Sequence, residues 1–231
     1  MIRHWMFALI LLAVLSPSVS AQFTAFDNTN DGGNTLASGT GVLFLNDPLR
    51  QMAIIFSTPT TTDVRLTELR MGFQLISGTS PFDLKVELKS VDETNSDVPT
   101  GPTLASFTTT QAVAGTPAYS SYSLAGSNFD SYDLTANTKY ALLASQTGGA
   151  DQVRWVVPTS NPAYNSSTDF TFVRMWFTND AGAVWQSSTT HPSMQVSFTP
   201  VPEPATVGLM GAAGLAIVGW IRRRASGSPV A

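Results

Sequence analysis

Short apolar or alternating runs recur along the chain every eight to fifteen residues, separated by Gly, Pro, Asn and Asp. The clearest cover residues 41–45, 52–56, 64–76, 84–91, 103–108, 119–124, 140–145, 153–157, 170–177 and 194–198. In Leu84-Lys85-Val86-Glu87-Leu88-Lys89 apolar and charged residues alternate without a break. Successive side chains of a strand point to opposite faces, so this segment buries one face and wets the other. Residues 170–177 carry enough aromatic side chains for a central core strand. No window between the two ends of the chain sustains a helical period. About ten short strands with turn residues between them predict an all-β domain, a β-sandwich of jelly-roll type.

Two apolar runs break this pattern, one near each end. Arg3 and His4 precede an apolar stretch over residues 5–15, and Pro17 interrupts it. Val19 and Ala21 then hold the minus-three and minus-one positions of a small-residue cleavage site. That layout predicts a signal peptide over residues 1–21, cut by signal peptidase ahead of Gln22. The alternative is an uncleaved anchor, but an apolar core of about ten residues is well short of the ~20 that span a bilayer.

Near the other end, residues 206–221 carry no charge and are followed by Arg222, Arg223 and Arg224. A helix of that length is roughly 24 Å long, against a hydrocarbon core of roughly 30 Å. Trp220 at the interface and snorkelling arginine heads make up the difference. This predicts a transmembrane helix with a basic cytoplasmic stop, the orientation that an exported N-terminal domain also demands. The predicted organisation is a signal peptide (1–21), an exported β-sandwich (22–200) and a C-terminal tail (201–231).

Pro202-Glu203-Pro204, the apolar run and the arginine triplet follow one another in a fixed order at the end of the chain. Together they resemble the PEP-CTERM sorting signal of Gram-negative bacteria. The resemblance implies that Pro202, Glu203 and Pro204 are the motif read by an exosortase, a membrane-embedded cysteine protease-like enzyme. It further implies export across the inner membrane, transient anchoring, and delivery to the cell surface or to an extracellular matrix where exopolysaccharide is a neighbour.

Composition narrows the function of the middle domain. Charged residues make up 12% of the chain, about half the usual quarter. Residues 22–200 hold eight Lys and Arg and fifteen Asp and Glu, so 8 − 15 gives a net charge of −7. Such a surface has no electrostatic footprint for nucleic acid. Cysteine is absent, which excludes a disulfide, a thiol nucleophile, a cysteine zinc site and an iron–sulfur cluster.

Leu134 and Tyr140 lead into the strand that starts at Ala141 and resemble the tyrosine corner of fibronectin type III domains. The implied role is structural: the ring packs under the turn and its hydroxyl bonds backbone. More broadly, residues 66–73, the alternating strand from Leu84, residues 99–107 and the Leu134–Tyr140 corner resemble, in their order, the choice-of-anchor R type of exported β-sandwich. That resemblance covers residues 26–198 and implies surface or matrix placement, with no catalytic residues.

A search for chemistry gives little. His191 is the one histidine outside the signal peptide, and it lies in a loop before Pro192. A lone loop histidine reads as a solvated side chain and not as a catalytic base. Glu68 and Glu87 alternate with apolar neighbours and read as solvent-face residues. Asp27, Asn30 and Asp31 are the candidate oxygen ligands for a hard cation such as calcium. The third loop position is Thr29 and the twelfth Ser38, so this is no EF-hand, and an Asx-rich turn is the preferred reading. Among the aromatic residues Trp185, after the turn at 179–182, is the candidate for glycan stacking, while Trp155 and Trp176 read as core. Asn165-Ser166-Ser167 fits an N-glycosylation pattern and reads as coincidental in a bacterium. The expectation is a non-enzymatic protein without a cofactor, with a carbohydrate-binding module as the alternative.

Overall fold

Two strands apolar on both faces, β3 (Gln51–Ser57) and β8 (Lys139–Gly148), organise the domain. Five consecutive residues of β3, Met52 to Phe56, are buried. The computed structural model describes residues 22–29, 36, 43–44, 49–78, 81–95, 97–148, 152–158, 165–166 and 170–202. Ala21–Pro200 forms one compact unit.

A six-stranded antiparallel sheet has the order β12 (Gln186–Ser188), β11 (Thr171–Thr178), β3, β8, β5 (Phe82–Ser90) and β6 (Thr103–Gln111). A seven-stranded sheet has the order β10 (Asn165–Ser166), β1 (Phe23–Asp27), β13 (Met194–Pro200), β4 (Val64–Ser77), β9 (Gln152–Trp155) and β2 (Leu43–Phe44). Its remaining strand, β7 (Ala118–Ser123), pairs with β4 off that path. Fourteen residues long, β4 serves β13 along its first half and β9 along its second.

The inner faces of the two sheets share one core. Met52, Ile54 and Phe56 of β3, Leu142 of β8 and Leu84, Val86 and Leu88 of β5 cluster with Leu66, Leu69, Met71 and Phe73 of β4 and Val196 and Phe198 of β13. Rings tie the layers together: Phe73 meets Phe82 edge-on at 5.5 Å between centroids, and Phe170 lies 4.5 Å from Phe198. Face-to-face packing of two antiparallel sheets around one core defines a β-sandwich.

The six-stranded sheet also buries part of its outer face. Ala53, Ile55, Ala141, Leu143 and Trp176 cluster there with Val98, and Val91, Val173 and Trp185 pack against them. Val91 and Val98 come from the β5–β6 connection, which the Asp92–Val98 bridge closes and the Lys139–Asp97 ion pair (2.8 Å) pins to β8. A strand covered on both faces loses its alternation, which is why β3 reads as one apolar run.

Every one of the ten predicted runs overlaps a strand, and three further strands, β1, β10 and β12, bring the described number to thirteen. The sequence expectation of about ten therefore falls short. The signal peptide and the transmembrane helix expected at 206–221 lie outside the described residues. Among the described residues no helix is long and apolar enough to cross a membrane.

Candidate functional site

The predicted sites fall in separate places. Of the sorting motif, Pro202 is described and exposed. Glu203, Pro204, Arg222, Arg223 and Arg224 lie outside the described residues, as do Val19 and Ala21. Two of the calcium candidates, Asn30 and Asp31, are likewise outside them. Asp27 turns on its own chain: its Oδ1 accepts from the backbone N–H and from the hydroxyl of Thr29, both at 2.6 Å. This is an Asx turn closed by two bonds. Among the described residues no group of three His, Cys, Asp or Glu side chains stands together as a metal site.

Next to that turn, buried Asn28 makes a long-range clamp. Its Nδ2 donates to the carbonyls of His191 (3.2 Å) and Pro192 (3.0 Å), and its Oδ1 accepts from the Met194 N–H (2.8 Å). The Trp155 indole N–H donates to the Ser193 carbonyl at 3.0 Å. The loop that carries His191 is thus fixed by Asn28, just after β1, and by Trp155 of β9. Its ring is half-buried, edge-on to Phe172 at 5.1 Å, so a freely solvated histidine is not what the structure holds.

Trp185 is half-buried as well. Its indole edge lies 3.5 Å from the position a side chain would take on Gly182, which adopts φ of 92°, and the ring packs against the outer-face cluster. Between Trp176 and Trp185 a tight turn joins β11 to β12. The Thr178 hydroxyl donates to the Asp180 carboxylate, which also accepts from the Val184 N–H at 2.9 Å. The Thr178 hydroxyl, and after it the backbone N–H groups of Val184, Ala183 and Asp180 itself, hold the Asp180 carboxyl below its ordinary value of 3.8.

A concave feature that the sequence pattern does not announce lies at the other end of β11. A bulge shifts the β11–β3 register between Phe172 and Arg174. Phe172, Met175 and Phe177 pack toward the shared core, whereas Val173 and Trp176 pack on the outer face. Arg174 joins the outer face, its guanidinium carbon 5.4 Å from the centre of the Trp176 ring. β12 pairs only with Met175–Phe177, so the sheet edge opens beside Phe172–Arg174. Phe172, Arg174, Ser187, Ser188, Thr189 and His191 line a cleft of about 440 Å³ there. The one sequence signal for it was a charge, Arg174, set inside an aromatic strand.

The fold of the described residues is that of a β-sandwich. Residues 200–224 match the family model of the PEP-CTERM protein-sorting motif, which contains Pro202-Glu203-Pro204 and the arginine triplet. A motif of this kind implies exosortase-dependent sorting of an exported protein that is anchored transiently in the membrane of a Gram-negative bacterium. No curated protein matches the chain. Structures of infectious bursal disease virus, from the Gt and Gx strains, align with TM-scores of 0.24 and 0.23 at 14% and 12% identity. Those alignments span 80% and 82% of this chain but only 36% and 41% of the viral chains, and a likeness at that level carries no argument.

Proposed function

We propose that the chain is a non-enzymatic surface or matrix protein whose domain is delivered by its tail. Residues 1–21 direct export and signal peptidase cuts after Ala21. Residues 206–221 hold the chain in the inner membrane, Arg222, Arg223 and Arg224 fix its orientation, and an exosortase acts near Pro202-Glu203-Pro204. The final place is the cell surface or an exopolysaccharide matrix, and the sandwich belongs with domains of the choice-of-anchor R type. The observation that supports this reading best is the sorting-motif match over residues 200–224.

Intact mass and terminal sequencing of the protein from its native host, with and without the exosortase gene, test it. The expected species begins at Gln22, ends near Pro202 and exists only when the enzyme is present. A full C-terminus retained in both strains would mean a permanently anchored domain and would end the sorting reading. Glu203→Ala is expected to abolish processing while the domain keeps its circular dichroism spectrum and melting temperature. Normal processing of that variant would remove Glu203 from the motif's function.

A further inference from the structure

We propose that the cleft at the β11 bulge is a binding site for a carboxylate-bearing sugar, an acidic residue of a polysaccharide. The proposal stands apart from the sorting reading, since it concerns the domain whether or not the tail is processed.

Four observations converge on this ligand. The first is the bulge. Without the extra residue, strict alternation would send Arg174 toward the shared core; with it, Val173 and Arg174 both emerge on the outer face. Bulges are a recurrent device for re-aiming one side chain beside a functional site. The second is the state of that arginine. As for Arg70, which lies over the Tyr119 ring, no carboxylate lies within ion-pair distance of Arg174 among the described residues. Its guanidinium rests instead on the Trp176 ring, which leaves its forked N–H groups to a ligand. A guanidinium held over an aromatic face is pre-organised for bidentate binding of a carboxylate.

The third observation is the rest of the lining. Ser187, Ser188 and Thr189 give the lining three hydroxyl-bearing residues. The Ser188 hydroxyl already accepts from the Thr190 N–H at 3.1 Å, so its own proton points elsewhere. Phe172 and His191, whose rings meet edge-on, are also part of the lining. A cation, several hydroxyls and aromatic rings together are the complement of a sugar acid: carboxylate, hydroxyls and an apolar ring face. A neutral sugar would leave the guanidinium unpaired. The fourth is rigidity and size. Asn28 and Trp155 fix the loop beneath His191, and about 440 Å³ falls within the ~300–1,000 Å³ of small-ligand sites. The net charge of the domain does not forbid an acidic ligand, because salt screens charges beyond ~8 Å in physiological medium.

The full chain, purified in detergent, should be titrated with trigalacturonate and with neutral maltotriose by isothermal titration calorimetry. Saturable binding of trigalacturonate is expected, at least tenfold tighter than maltotriose, with an affinity that weakens as salt rises. Arg174→Ala should weaken it tenfold or more and Arg174→Lys should retain part of it. Lys89→Ala, on β5, should change nothing. Equal affinity for the two trisaccharides, an unchanged Arg174→Ala, or an equal loss in Lys89→Ala would overturn the proposal. Acetate that competes as well as galacturonate would overturn the sugar part of it. Because Arg174 is exposed, its variants are expected to fold, and Ser187→Ala offers a second substitution: an affinity for trigalacturonate as high as that of the parent chain would count against the hydroxyl contacts.

Discussion

Tyr140 shows what one hydroxyl does in this fold. The ring is buried, and its Oη accepts the Thr135 N–H at 3.0 Å, while Leu134 bridges to Val64 at the start of β4. This corner was legible in the sequence because its two anchors lie six residues apart and the contact is local. Tyr140→Phe keeps the packing and deletes one bond, so a loss of about 1 kcal/mol is expected, read as a lower urea midpoint at unchanged slope. Asn28 is the opposite case. Its partners lie more than 160 residues away in sequence, so nothing local announces them, and the sequence placed it within an Asx-rich turn only. Asn28→Ala removes all three side-chain bonds and strands the buried Met194 N–H together with two carbonyls. The expected cost is about 3 kcal/mol, near the upper end for unsatisfied buried groups. The faster hydrogen exchange it should cause would centre on Met194, and exchange spread evenly over the domain would argue against a local clamp.

At the scale of elements, the runs that could be read were those in which burial on one or both faces leaves a pattern. β5 announces itself by alternation and β3 by unbroken apolarity. β10 and β12 are two and three polar residues long, and their strand character comes entirely from the neighbour they pair with. The bulge in β11 was illegible for the same reason: residues 170–177 read as one core strand, yet the register shift splits it, with Trp176 on the outer face and Met175 on the inner. The β11–β12 turn gives a test with a definite sign. Asp180 has a depressed folded pKa, because the Thr178 hydroxyl and then the Val184 N–H bond its charged form. The contribution is therefore complete above the ordinary aspartate value of 3.8 and is lost as pH falls below it through the folded value. Amide exchange at Val184, corrected for intrinsic rate, should accelerate on acidification through that window, and Asp180→Asn should flatten the response. An acid-independent exchange rate would mean that the carboxylate does not hold the turn.

With no cysteine in the chain, no disulfide ties the two sheets together, so the coherence of the domain has to come from the core. That core belongs to both sheets at once: Phe56 touches Phe170, and Phe170 touches Phe198, with ring centroids 6.2 and 4.5 Å apart. Phe56 lies in the six-stranded sheet and Phe198 in the seven-stranded one, and fully buried Phe170 stands between them just ahead of β11. If the sheets depend on each other through such contacts, neither can persist alone, and the domain unfolds in one step. Phe170→Ala removes the middle ring and is expected to cost about 3–5 kcal/mol. The transition should move to lower temperature while remaining single, with calorimetric and van't Hoff enthalpies equal. A transition that splits in two on the same substitution would mean that each sheet carries its own stability. The sandwich would then be two units in contact, and the shared core would be incidental to its cohesion.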